Sequence, residues 1–167
     1  DDTVGITVSP IAGLTTTEAG GEDSFAVVLD SEPTADVVIA VSSSDMTEGT
    51  VSPVALTFTA TNWNTSQTVT VTGVNDDVDD DDVGYTIVTA AAVSNDSKYD
   101  DLNGEDVSVT NTDDDTVGIT VSPIAGLTTT EAGGEDSFTV VLDSEPTGDV
   151  VIAVSSSDMA EGTVSPV

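Results

Sequence analysis

The chain of 167 residues carries 32 acidic residues and a single basic residue, Lys98, which gives a net charge of −31. A charge of this sign and size repels phosphate backbones and anionic lipids, so we expect neither a nucleic-acid partner nor direct membrane insertion. The absence of cysteine excludes disulfide bonds, and the absence of both cysteine and histidine argues against zinc.

The chain is rich in segments that alternate apolar and polar residues or that run in β-branched residues, both of which are typical of β-strands. In chain order, the seven predicted strands are A (3–9), B (24–30), C (36–43), D (55–60), E (66–74), F (83–91) and G (105–112). Turn sequences such as Gly20-Gly21 and Asn103-Gly104 separate them. The pattern predicts an all-β fold, an immunoglobulin-like antiparallel β-sandwich of about seven strands.

The opening of the chain is repeated almost unchanged at its end. Residues 1–54 recur as residues 114–167, which gives a period of 113 residues, about the size of one small β domain. The three positions that differ are Ala26/Thr139, Ala35/Gly148 and Thr47/Ala160. We therefore predict tandem repeats: a complete repeat with an acidic linker at 1–115 and strands A to C of a second repeat at 116–167. We expect both to belong to a longer array.

Carboxylates are concentrated at one predicted end of the sandwich, which we call the far end. The up-and-down path of the strands brings the AB, CD and EF loops there, together with the end of strand G. Crowded carboxylates repel one another unless cations neutralise them, and Ca²⁺ takes about 6–8 oxygen ligands. We therefore predict a Ca²⁺ cluster. Its candidate ligands are Glu18, Asp45, Glu48, Asp76, Asp77, Asp79, Asp80, Asp81, Asp82, Asp113, Asp114 and Asp115, with Glu131 as the second copy of Glu18.

Three stretches resemble the Calx-beta domain family. They read TTTEAGGEDSFAVVLDSEPTADVVIAV from residue 15, ALTFTATNWNTSQTVTVTGVNDDVDDDD from residue 55 and DVSVTNTDDD from residue 106. The similarity extends over the whole period and is greatest to repeats found in large bacterial surface proteins. It implies a β-sandwich and, as in some members, Ca²⁺ at one end. The chain departs from the family pattern at 42–49, where members often have an Asp-Tyr pair.

Other interpretations of the acidic residues stay open. A run of aspartates is usually a solvated loop, and strong acidity also occurs in proteins of saline habitats. Acidic residues in loops 30–36 and 95–101 are either solvated or lend a ligand to a preceding repeat. An EF-hand is excluded, because Asp82 and Val88 stand where that loop needs glycine and glutamate.

The composition gives little support to catalysis. Histidine and cysteine are absent, and the acidic residues crowd a sandwich end rather than a cleft. We expect a non-enzymatic extracellular or cell-surface protein: a structural repeat of a stalk, adhesin or filament, rigidified by Ca²⁺ at the junctions between repeats. Its partners would be neighbouring copies of the repeat, in the same chain or between chains. The alternative is an adhesive module whose loops recognise a glycan or a cell-surface protein. A Ca²⁺ sensor coupled to a transporter fits near-identical tandem copies poorly.

Overall fold

The structure, a computed structural model, describes residues 3–165. Residues 1–2 of the first predicted repeat and residues 166–167 of the second lie outside the described residues. Within the described part the fold is all-β, with twelve strands and no helix, so no membrane-spanning helix is found there. The chain separates into two compact units, the first formed by residues up to 76 with 80–114, the second by 77–79 with 115 onward. The division into domains at 115/116 stays a prediction.

The first unit is a sandwich of two sheets. Its strands are β1 (Ile6–Ser9), β2 (Leu14–Thr17), β3 (Glu22–Leu29), β4 (Val37–Ser43), β5 (Gly49–Ser52), β6 (Ala55–Phe58), β7 (Gln67–Gly73), β8 (Val83–Thr89), β9 (Val93–Ser94) and β10 (Val107–Thr112). One sheet has the order β1-β3-β7-β5, and the other has the order β2-β10-β8-β4-β6 with β9 beside β4. The strands pair antiparallel apart from β2 and β10, which are parallel.

All seven predicted strands form, and β2, β5 and β9 are additional. The predicted strand A is only the first half of a path that leaves one sheet at Pro10 and enters the other as β2. In the same way, β5 and β6 lie in different sheets on either side of Pro53. Proline has no amide hydrogen to donate, so it suits the corners where a strand leaves one sheet for the other.

The core lies between the two sheets. Alternate residues of β3 point inward, so that Phe25, Val27 and Leu29 are at most 2% exposed. Phe25 stands opposite Val69 of β7 in the sheet register. Trp63, in the connection between β6 and β7, packs against this core.

The strand directions bring the acidic segments of the first unit together. Strands β2 and β10 run side by side and end together, with Thr17 beside Thr112. The amide of Glu18 donates to the carbonyl of Thr112 at 3.1 Å, and the amide of Val74, after β7, donates to the carbonyl of Glu48 at 3.0 Å. The turns after β2, β4 and β7 therefore meet the end of β10 at the far end.

The second unit contains two strands among its described residues. They are β11 (Ile119–Ser122) and β12 (Thr139–Leu142), which pair antiparallel. Residues 150–156, the copy of β4, are not in a strand, although the sequence predicts one there. In the first unit β4 is held between β6 and β8, whereas the second copy includes no counterpart of either strand. A strand needs neighbours to accept its backbone hydrogen bonds.

Candidate metal centre

A tight turn after β4 directs Glu48 into the far end. The carboxylate of Asp45 accepts hydrogen bonds from the amide of Thr47 at 3.0 Å and from its hydroxyl at 2.6 Å. The carbonyl of Asp45 accepts from the amide of Gly49 at 3.2 Å. Glu48, enclosed by this turn, is only 6% exposed. A glutamate this buried is uncommon unless a partner compensates for its lost hydration.

Glu48 faces two further carboxylates. Its oxygen lies within 4.8 Å of carboxylate oxygens of Asp76 and Asp80, which follow β7. Burial raises the pKa of Glu48, and the negative charges of Asp80, Asp45 and Asp76 raise it further. Desolvation, together with the charges of Asp76 and Asp113, raises the pKa of Asp80 as well. The group therefore holds negative charge that a bound cation would stabilise.

A buried network of hydrogen bonds holds the side chain of Glu48 in place. Asn111 of β10, 1% exposed, donates through Nδ2 to Glu48 Oε2 at 3.4 Å and to the carbonyl of Val74 at 3.1 Å. Its Oδ1 accepts from the hydroxyl of Thr16 at 2.9 Å, and that hydroxyl lies 3.1 Å from the hydroxyl of Tyr85. Because strands β2, β8 and β10 all contribute, the sandwich itself fixes the position of Glu48.

Two glycines leave room for this network. A Cβ atom on Gly49 would overlap the hydroxyl of Tyr85. A Cβ atom on Gly73 would overlap the carbonyl of Thr17 and the Oδ1 of Asn111. Both positions therefore require the absence of a side chain, because backbone and polar groups approach closely there.

Glu18 begins a second acidic group at the far end. It is 3% exposed and follows directly on β2. The amide of Asp114 donates to Glu18 Oε2 at 3.4 Å, and carboxylate oxygens of the two residues lie within 4.8 Å of each other. This group joins the turn after β2 to the residues that follow β10.

The connection after β7 is also tied to the end of β10. The amide of Asp81 donates to Asp113 Oδ2 at 3.0 Å, and the amide of Asp113 donates to Asp82 Oδ1 at 3.2 Å. Asp81 has a φ of 64°, a left-handed conformation that aspartate tolerates better than most residues. The reciprocal bonds hold both acidic segments in place at the far end.

Most of the predicted ligands are brought together in the first unit. These residues are Glu18, Asp45, Glu48, Asp76, Asp80, Asp81, Asp82, Asp113 and Asp114. Asp77, Asp79, Asp115 and Glu131 belong to the second unit. There Asp79 Oδ2 accepts from the amide of Val117 at 2.6 Å, the carbonyl of Asp77 accepts from the amide of Glu145 at 2.6 Å, and Glu131 is exposed. The role of all these residues as metal ligands stays a prediction.

Sequence analysis missed Asn111, Thr16 and Tyr85, because only carboxylates were considered as site residues. A signal was present in β10, where Val107 and Val109 alternate inward and Asn111 continues the same face. A polar residue at a position where the pattern requires an apolar one often marks a buried polar network.

The chemistry of the far end fits a hard divalent cation. The chain's one basic residue, Lys98, lies in the connection between β9 and β10, at the other end of the first unit. The oxygen atoms available as metal ligands at the far end belong to carboxylates, side-chain amides, hydroxyls and backbone carbonyls, which are the ligands that Ca²⁺ takes. Mg²⁺ fits less well, because it keeps several of its water molecules.

No family model matches the chain, and no curated protein matches it significantly. Among solved structures, it is similar to the apo form of the Calx CBD1 domain, with 21% identity and a TM-score of 0.51 over 67% of this chain and 98% of that one. It is also similar to CBD12 from CALX1.2, with 20% identity and a TM-score of 0.50 over 66% and 44%. The periplasmic chaperone SfaE matches at 10% identity and a TM-score of 0.49, over 66% and 58%. At these identities the likeness concerns the fold alone.

Proposed function

We propose that the chain is a Calx-beta-like structural repeat whose far end binds Ca²⁺. One observation carries this proposal: Glu48, only 6% exposed, faces the carboxylates of Asp76 and Asp80 with no basic side chain of the first unit at that end. Burial of charge in such an arrangement is stabilised when a cation is shared among the carboxylates.

The ligands would come from separate segments of the first unit. Glu48 follows β4, Asp76 and Asp80 follow β7, Glu18 follows β2 and Asp114 follows β10. Carbonyl groups and water would complete the about 6–8 oxygens that each Ca²⁺ takes. Ions held in this way would tie the end of β10 to three turns and so fix the direction in which the chain leaves the sandwich.

This mechanical role supports an extracellular stalk, adhesin or filament. A spacer needs the same unit many times over, and the two copies in this chain differ at three positions. A recognition surface usually presents aromatic side chains, whereas aromatic residues make up 4% of this chain. Its partners would be neighbouring copies of the repeat, and millimolar extracellular Ca²⁺ would occupy even sites of modest affinity.

Calorimetric titration with Ca²⁺ tests the proposal. The double variant Glu48→Gln with Asp80→Asn should bind at least about tenfold more weakly than the parent, because fewer charged ligands remain. The matched control, Asp100→Asn with Asp101→Asn, removes the same charge from the opposite end and should bind like the parent. At a free concentration of 100 times the Kd, Ca²⁺ should stabilise the parent by about 2.7 kcal/mol.

Two results would count against the proposal. One is a parent protein that shows no heat of binding at millimolar Ca²⁺. The other is an equal loss of affinity in the two double variants, because the ion would then respond to total charge rather than to the far end.

A further inference from the structure

The connection between β9 and β10 contains the pair Asn103-Gly104, the one place in the chain where glycine follows asparagine. Asn103 is exposed, and Gly104 is half-buried. Across residues 3–165, neither the side-chain amide of Asn103 nor the backbone amide of Gly104 takes part in a hydrogen bond. These two groups are therefore adjacent, and no hydrogen bond has to break before they meet.

Asparagine is a chemically labile residue, and a following glycine opens a reaction within the chain. The backbone nitrogen of Gly104 attacks Cγ of Asn103, and the bond from Cγ to Nδ2 breaks. Ammonia leaves with the hydrogen that the backbone nitrogen loses, and a five-membered succinimide ring forms. Water then opens the ring at either of its two carbonyl carbons, which gives aspartate or isoaspartate. Glycine favours the first step, because it has no Cβ to hinder the approach and its backbone rotates freely.

The other five asparagines lack this combination. The side-chain amides of Asn62 and Asn75 donate hydrogen bonds to backbone carbonyls at 3.3 Å and 2.6 Å, and Asn111 is 1% exposed. Asn64 and Asn95 are exposed, but the residues that follow them, threonine and aspartate, carry a Cβ atom that hinders the attack. The two exposed asparagines therefore provide a reference within the same chain.

Hydrogen bonds on either side of the pair fix the length of chain between them. Before it, the carbonyl of Leu102 accepts from the amide of Ala92 at 2.8 Å. After it, the carbonyl of Glu105 accepts from the hydroxyl of Thr89 at 3.1 Å. Isoaspartate carries the backbone through its side chain and so inserts one additional atom between these two anchors. At least one anchor then has to move.

The segment has little room to bulge toward the core. A Cβ atom on Gly104 would lie 3.1 Å from Cγ2 of Val8 and 3.2 Å from Cγ2 of Ile6. Thr89, at the end of β8, is 1% exposed, and its amide donates to Oδ1 of Asp106 at 2.9 Å. A shift of residues 105–106 would therefore take the acceptors away from both the hydroxyl and the amide of Thr89.

We propose that Asn103-Gly104 is a site of spontaneous deamidation, and that the isoaspartyl product loosens the hydrogen bonds between Thr89 and residues 105–106. The reaction replaces an amide by a carboxylate and so adds one negative charge. Its only co-reactant is water, so the product accumulates with the age of the protein. The proposal does not depend on Ca²⁺.

Prolonged incubation of the parent chain at constant pH and temperature tests the proposal. Ion-exchange chromatography separates the form with the additional charge, and peptide mass spectrometry assigns its position. Conversion at Asn103 should be at least about tenfold faster than at Asn64, because glycine leaves the attacking nitrogen accessible. In the isolated isoaspartyl form, hydrogen exchange of the Thr89 amide should be at least about tenfold faster than in the fresh parent, because its acceptor has moved.

Two variants provide the controls. Asn103→Gln keeps an amide but has to form a larger ring, so it should accumulate the acidic form at least about tenfold more slowly than the parent. Asn103→Asp, measured fresh, carries the added charge without the additional backbone atom and should keep the parental exchange of the Thr89 amide.

Each half of the proposal has its own contrary result. No conversion at Asn103, equal conversion at Asn103 and Asn64, or an acidic form that accumulates as fast in Asn103→Gln would overturn the proposed site. Parental exchange of the Thr89 amide in the isoaspartyl form, or equally fast exchange in fresh Asn103→Asp, would overturn the proposed loosening.

Discussion

The two copies of one sequence differ in how deeply their side chains are buried. Phe25 is 2% exposed and Phe138 is 37% exposed, although the residues around them are nearly identical. Glu48 is buried in the first unit, and its copy Glu161 is exposed in the second. The sequence of the copies therefore does not decide burial. The decisive element is segment 55–113, which covers the first copy.

The same segment completes both the core and the acidic site of the first unit. Val69 and Leu56 pair beside Phe25 and Ile39 in the two sheets and are buried with them in the core, while Asp76, Asp80 and Asn111 lie close to Glu48. Stability and cation binding should therefore rise and fall together in the first unit. Variants made in pairs, one in each copy, separate the effect of sequence from the effect of packing.

The largest effect is expected from the paired variants Phe25→Ala and Phe138→Ala. Removing the buried ring should lower the free energy of unfolding by about 3–5 kcal/mol, because a cavity replaces packed atoms. The exposed copy should change it by no more than about 0.5 kcal/mol. Urea unfolding followed by Trp63 fluorescence and by circular dichroism measures both. Equal losses in the pair would show that the second copy is packed as well as the first.

A smaller effect concerns pH in the absence of divalent cations. The pKa of Glu48 is raised above its usual 4.5 by burial and by nearby charges, so the folded state holds this proton more tightly than the unfolded state. Stability should therefore fall as pH rises from 4.5 through the raised pKa. Added Ca²⁺ should reverse the slope, since it binds the deprotonated group.

The variant Glu48→Gln isolates this contribution. It should flatten the fall in melting temperature measured in EDTA, whereas Glu32→Gln, at an exposed position of the other end, should leave the fall unchanged. If the melting temperature of Glu48→Gln fell with pH as steeply as that of the parent, the total negative charge, rather than this buried group, would control the pH dependence.

The smallest effect is expected from Thr47→Ala, which gives the first copy the residue of the second. The hydroxyl of Thr47, and then its amide, hold the pKa of Asp45 below its usual 3.8. In the second copy the carboxylate of Asp158 accepts a hydrogen bond from the amide of Ala160 at 2.9 Å, and alanine has no hydroxyl to donate a second one. Thr47→Ala should therefore be slightly less stable than the parent at neutral pH. As pH falls through the pKa of Asp45, the variant should lose less stability than the parent does. The reciprocal Ala160→Thr should have no measurable effect in thermal melts, and a loss there would contradict the comparison.

Much of the fold follows from local patterns, and the remainder depends on distant partners. Alternation along 24–30 and 66–74 predicts β3 and β7, because one face of each strand is buried. The pattern does not show that the chain changes sheets at Pro10 and Pro53, which depends on the strands that receive it. It also predicts a third strand in the second copy at 150–156, where the sequence is strand-like and the neighbours of β4 are missing.

The site was predictable to a similar extent. Topology alone places Glu18 and Glu48 at one end with the aspartates after β7. It does not show which aspartates of the acidic run 76–82 lie close to Glu48: Asp76 and Asp80 do so in the first unit, whereas Asp77 groups with the second. That choice is made by backbone turns, such as the left-handed conformation of Asp81, which composition does not reveal.

The central claim is that buried carboxylates of the first unit, rather than acidic sequence in general, bind Ca²⁺. Calorimetry on two double variants tests it most directly: Glu18→Gln with Glu48→Gln, and the matched Glu131→Gln with Glu161→Gln, which remove the same charge from copied positions. The first pair should abolish the tightest binding step, and the second should retain the parental affinity and stoichiometry. Equal losses in the two pairs, or a larger loss in the second, would contradict the account.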